Sequence, residues 1–170
     1  GEGELIEQLE NNIYAKTHGI ELNPDLTRKA ITKGFSVVQG NAEKDLSQYA
    51  NQSFDYVILS QTLQAMVKPK EVLLELLRIG SKAIVSFPNF GHWKIRLLLL
   101  LTGKMPVTES LPYAWYDTPN IHFFTIQDFQ NLCVDLNIII EKSIGLSTKG
   151  KQFHIPQGIS GANFFTHEAI

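Results

Sequence analysis

The chain has 170 residues, with 15 Lys and Arg against 17 Asp and Glu, a net charge of −2. That balance excludes a protein held to nucleic acid or a membrane surface by charge alone. With 44% hydrophobic residues it has the material for one core, and its length, near the ~150 residues of a typical domain, predicts one domain over 1–170. No stretch reaches the ~20 apolar residues of a membrane helix; IRLLLLL at 95–101 is short and carries Arg96. The opening GEGELIEQLE is acidic and lacks the apolar core of a secretion signal. The single Cys133 excludes an internal disulfide and a cysteine-cluster metal site. The expectation is a soluble cytoplasmic protein with no metal, no nucleic-acid partner and no membrane span.

Leu5, Ile6, Leu9 and Ile13 share one helical face. A strand-like segment, KTHGIEL at 16–22, runs into Asn23-Pro24-Asp25. There Asn23 suits a helix N-cap, Pro24 the first helical position, and Gly34 the stop. Short strands are predicted at 36–39 and at 54–59 (FDYVIL). A helix over 70–79 carries Val72, Leu73, Leu76 and Leu77 as its stripe, and a strand follows at 82–87 (KAIVSF). Thr125-x-x-Asp128 reads as a capping box opening a helix with Phe129, Leu132, Cys133 and Leu136. The thiol on that apolar face is expected to be an inert core group. A further strand is predicted at 138–144, and the tail from Gly145 reads as a loop leading to a last strand that begins near Asn163.

Alternation of strand and helix implies parallel strands with helices on both faces. Val57 to Leu59 and Ala83 to Val85 show no polar alternation, which suits burial on both sides. The predicted class is α/β, doubly wound around a mostly parallel sheet. Between Pro88 and Phe124 the pattern gives way to an insertion with Pro88, Pro106, Pro112 and Pro119 among aromatic residues. Such a stretch is expected to cover a site or a partner. The chain enters a helix directly after Gly1-Glu2-Gly3, so it reads as lacking its first strand, with both ends cut.

Gly1-x-Gly3 opens a helix, and eighteen residues after Gly3 comes Glu21, at the end of a strand-like segment. Glycines at such a turn admit a ligand to the backbone, and an acid at the next strand tip can accept ribose hydroxyls. The alternative is a plain turn and a solvated charge. A dinucleotide fingerprint wants Gly or Ala where this chain has Ile6, which disfavours a pyrophosphate. An adenosyl ligand without phosphates, such as S-adenosylmethionine, needs only the turn and the acid.

FDYVILSQTLQAMVKPKEVLLELLRIGSKAIVSFPNFGHWKIRLLLL (54–100) and GKMPVTESLPYAWYDTPNIHFFTIQDFQNLC (103–133) closely resemble the MetW family, most specifically at SFPNFGHW and YDTPNIH. MetW proteins belong to bacterial methionine biosynthesis and are related to class I S-adenosylmethionine-dependent methyltransferases. The resemblance implies a Rossmann-like class I methyltransferase fold. It implies that Gly1 and Gly3 close a longer D-x-G-x-G-x-G motif whose Asp and first Gly are absent here. Glu21 would then hold the ribose hydroxyls and Leu22 pack on the adenine. Asn41 and Ala42 would contact the adenine edge, with Asn41 at a place where many relatives have Asp. Ser60 and Gln61 would border the methionine moiety. The bland readings are a turn cap at Asn41 and the start of a loop at Ser60.

Methyl transfer needs alignment and, for a protonated nucleophile, a base. His92 in NFGHW, His122 in TPNIH and His154 are candidates, with His18 behind them; each can equally be a loop histidine bonded to backbone. Tyr113, Trp115 and Tyr116 form either a small local core or a substrate cage, and Tyr116 is a further catalytic candidate. Two readings stand. In one, the chain binds and regulates another enzyme; the resemblance implies homoserine O-acyltransferase, with the aromatics of the insertion as contact surface and S-adenosylmethionine as sensed ligand. In the other, it is an active small-molecule methyltransferase of unknown acceptor.

Overall fold

A computed structural model describes residues 1–108, 111–146, 152–154 and 168–169. Helix α1 (Glu4–Ile13) leads to β1 (Gly19–Glu21), α2 (Pro24–Thr32) and β2 (Val37–Gln39). Asn23 caps α2 as its sequence predicts, its side-chain oxygen accepting from the Asp25 and Leu26 amides at 2.9 and 3.2 Å. Strands β1 and β2 pair in parallel, with Glu21 opposite Gln39. The four-residue helix α3 (Ala42–Asp45) and a 3-10 turn lead to β3 (Phe54–Ser60), then α4 (Pro69–Ile79) and β4 (Gly80–Pro88). β3 and β4 are also parallel.

The two parallel pairs run the same way. At their starting ends, His18 contacts Tyr49 and Tyr49 stacks near Phe54, with ring centroids 5.9 and 5.6 Å apart. At their finishing ends, the Lys68 amide donates to Glu43 Oε1 at 2.8 Å. Four carboxyl tips therefore lie along one edge, where ligands gather in α/β sheets.

Beyond β4 the sheet becomes antiparallel. β7 (Glu168–Ala169) lies between β4 and β5 (Ile144–Leu146), and β6 (Gln152–His154) closes the order β3-β4-β7-β5-β6. Two expectations change. The strand predicted at 138–144 begins only at Ile144, and Asn137 before it takes a left-handed turn (φ 55°). The insertion, where the sequence pattern shows no element, holds helix α5 (Trp93–Thr102). The start of a last strand expected near Asn163 lies outside the described residues.

The main core forms where α4 lays Val72, Leu73, Leu76 and Ile79 against Leu59, Leu63 and Met66. Phe87 and Ile126 make a smaller adjoining cluster under α6 (Ile126–Asp135). The capping box is formed: the Thr125 hydroxyl accepts the Asp128 amide at 3.2 Å, and Asp128 accepts the Thr125 amide at 2.8 Å. Thr125→Ala is expected to cost about 1 kcal/mol, seen as a melting point lower by about 2–4 °C. An unchanged melt would show that the cap adds nothing here. Among the described residues, no helix is long and apolar enough to cross a membrane.

Candidate functional site at the strand tips

The Gly1–Gly3 segment is built into place. Gly3 has φ +91°, a conformation that costs glycine little, and a Cβ there would meet the Phe35 ring at 2.5 Å. Glu2 pairs with Lys29 at 2.5 Å, and its carbonyl accepts from Lys33 at 3.1 Å. The Gly1 nitrogen contacts Glu21 Oε2. Glu21 also accepts the Asn23 amide at 2.8 Å through Oε1. Burial pushes the Glu21 carboxyl upward. Hydrogen bonds from the Gly1 nitrogen and from the Asn23 and Leu22 amides outweigh it and hold the carboxyl below its ordinary value. The carboxylate thus faces the glycine turn, and Leu22 beside it is largely exposed.

Thr27, buried in the first turn of α2, donates to the Asn23 carbonyl at 2.9 Å and fixes the β1–α2 turn. Gly40 closes β2 onto β1, its amide donating to the Glu21 carbonyl at 3.0 Å. A Cβ on Gly40 would meet Asp45 Oδ2 at 2.9 Å and Ile20 at 3.2 Å, so a larger residue would press on the carboxylate that accepts the Asn41 amide. Asn41 follows as the cap of α3. Its Oδ1 accepts the Glu43 amide at 2.8 Å, while its own amide donates to Asp45 at 2.6 Å. Ala42 packs on the main core.

Ser60 and Gln61 occupy the tip of β3. Gln61 has φ 51°, and its amide donates to the Ser86 carbonyl at 3.0 Å and lies 3.1 Å from the Ser86 hydroxyl. Gln64, buried two residues beyond Thr62, returns its side-chain amide to the Gln61 carbonyl at 2.8 Å. Its own carbonyl accepts the Ile121 and His122 amides at 2.9 and 3.0 Å. The insertion is thereby stapled to the loop after β3.

The structure brings Gly1, Gly3, Glu21, Leu22, Asn41 and Ala42 onto the adjoining tips of β1 and β2. Ser60 and Gln61 stand on the neighbouring pair, linked to them through Glu43 and Lys68. His92 is 2% exposed and caps α5, its Nδ1 accepting the Lys94 amide at 3.3 Å. His122 is half-buried, and its Nε2 has no hydrogen-bond partner among the described residues. Tyr116 is 76% exposed and packs edge-on against the 74% exposed Trp115, so these two rings do not form a closed core. His18 lies at the opposite edge, bonded to Ser36 and Tyr49. His154 falls in β6.

Thr27, Asp45, Gln64 and Ser86 are supports that sequence reading missed. Asn23-x-x-x-Thr27 and Asn41-x-x-x-Asp45 carry a local signal, since both close one helical turn. Gln64 and Ser86 act across the fold and carry none.

For an adenosyl ligand, the carboxylate of Glu21 beside a glycine turn and the exposed Leu22 fit a ribose and a base. Asn41 fits less well, because its side-chain oxygen already caps α3. A likeness to solved structures matches the arrangement. A SAM-dependent methyltransferase from Archaeoglobus fulgidus has a TM-score of 0.67 at 13% identity, over 99% of this chain and 80% of that one. A second, from Thermotoga maritima, has a TM-score of 0.65 at 17% identity, over 96% and 74%. The fold is therefore that of Rossmann-like SAM-dependent methyltransferases.

Among sequences, the bifunctional methionine biosynthesis protein MetXA/MetW of Rhodopirellula baltica is 34% identical over 127 residues. That match takes in 74% of this chain and 20% of the relative, so the chain spans only about a fifth of that relative's length. The model of the family described as methionine biosynthesis protein MetW matches residues 1–170, and the chain belongs to that family.

Proposed function

We propose that this protein acts in cytoplasmic methionine biosynthesis by binding a homoserine O-acyltransferase and regulating it, with S-adenosylmethionine held at the strand tips. The observation that carries the nucleoside site is the Glu21 carboxylate turned toward the Gly1–Gly3 segment. Glu21 would accept the ribose hydroxyls, Leu22 would cover the adenine, and Ser60 and Gln61 would border the amino-acid end. When bound, S-adenosylmethionine presents an electrophilic methyl group. The residues around it favour holding over proton transfer: His92 is buried and spends Nδ1 on a backbone amide. The partnership draws support from the MetXA/MetW relative, which joins two activities in one polypeptide.

Titration of the full chain with S-adenosylmethionine tests the site. Glu21→Gln keeps an acceptor for the Asn23 amide but removes the charge. It is expected to weaken binding about 10- to 100-fold, the worth of a hydrogen bond to a charged group. No heat with the wild type overturns the site. Acylation assays with the acyltransferase, with and without this chain and the ligand, test the regulation. A rate indifferent to both, together with methyl consumption on a cell extract, would establish the methyltransferase reading instead.

A further inference from the structure

Helix α5 carries leucines on every side, with Lys94 and Arg96 confined to its first turn. Only Ile95 is buried, packed with Phe90 and Leu111. Leu97 to Leu101 follow without interruption and are all exposed, Leu100 to 81% and Leu101 to 72%. At 100° per residue, five successive leucines cover the outward face as well as the inward one. Helix α4 shows the usual contrast, with Lys70, Glu71, Glu75 and Arg78 turned away from its buried stripe. A helix with leucines all round belongs in a buried setting, and its outer face at Leu100 and Leu101 has no cover among the described residues. The patch continues past the α5 cap into Met105 and Val107, and Trp115 stands exposed nearby, sharing a small hollow with Met105.

We infer that the leucine face of α5 is the surface on which the acyltransferase docks. This deepens the partnership proposed above and rests on it. Two observations favour that occupant. In the Rhodopirellula baltica relative, the MetW portion shares a polypeptide with MetXA, which keeps a partner permanently at high effective concentration. Residues 93–104 also carry Lys94, Arg96 and Lys104 and no acid, in a chain of net charge −2. A second copy packed antiparallel on this face about Leu99 would set Lys94 of one protomer beside Lys104 of the other. A foreign groove with an apolar floor and an acidic rim meets both the leucines and the cations. At about 15 Å, α5 is half the ~30 Å hydrocarbon thickness it would need to span.

The test is calorimetry between the full chain and the purified homoserine O-acyltransferase of the same organism. Leu100→Asp combined with Leu101→Asp is expected to weaken binding about 100-fold or more, as for central apolar anchors. Ile139→Asp, at an equally exposed site elsewhere, is expected to change it by less than about twofold. As a second readout, the amides of 97–102 in the wild type are expected to exchange about tenfold more slowly once the acyltransferase is added. Undiminished binding by the double variant, or unchanged exchange, overturns the assignment to α5 and leaves the partnership standing. No binding by the wild type overturns the partnership itself. A wild-type homodimer or binding to anionic vesicles, lost in the double variant while acyltransferase binding persists, assigns the face to those occupants instead.

Discussion

Phe87→Ala is expected to destabilise the protein by about 3–5 kcal/mol, the cost of a large cavity where a buried ring is removed. Phe87 is 1% exposed, and its ring lies 4.8 Å from both Phe124 and Phe129, centroid to centroid. It ties the end of β4 to α6 and to the end of the insertion at once. No neighbour can collapse into the space without pulling one of those elements off the sheet. The measurement is urea or thermal unfolding, with the melting point falling by about 10 °C or more. Phe87→Leu, which keeps most of the volume, is expected to cost less. A drop under about 1 kcal/mol for the alanine variant would mean that the Phe87 cluster contributes little.

The second large effect concerns Cys133. Burial among the apolar side chains of α6 pushes its thiol up to about 11. At pH 8 its thiolate population is then about 100-fold below that of a thiol at 9, and reagent access is blocked as well. Modification by a disulfide reagent is expected to be at least about 100-fold slower in the folded protein than in denaturant. The linkage has a definite sign. The folded state holds the proton more tightly than the unfolded one, so this contribution to stability is complete below pH 9. It declines as pH rises from 9 toward 11. Stoichiometric labelling within the mixing time at pH 8 would contradict this placement.

The elements legible in the sequence are those with local causes. Asn23-Pro24, the stripe of α4 and the Thr125–Asp128 box each act within one or two turns, and each appears where its pattern puts it. Helix α5 escaped because five leucines in a row erase the 3.6-residue rhythm that marks a helix against one core. The delayed start of β5 escaped because Ile138–Ile140 look β-prone, while the extent of a strand is settled by tertiary context. At the site, Glu21 and the glycines were legible through their spacing. For Asn41 the sequence left the adenine contact and the turn cap both open, and its oxygen caps α3 through the Glu43 amide. The burial of His92 and the exposure of Trp115 and Tyr116 are likewise decided by the packing of α5 and the insertion.

The Gln64 carbonyl takes two successive amides from the insertion, while the Gln64 side chain holds Gln61. One residue therefore grips both the ledge where an adenosyl ligand's amino-acid end would rest and the Ile121–His122 stretch of the insertion that carries the leucine face. Occupancy of either place that shifts this grip must bias the other, and thermodynamic linkage makes the bias mutual. A metabolite that tightens association with the enzyme would itself be retained more firmly once that enzyme is engaged, by the same factor.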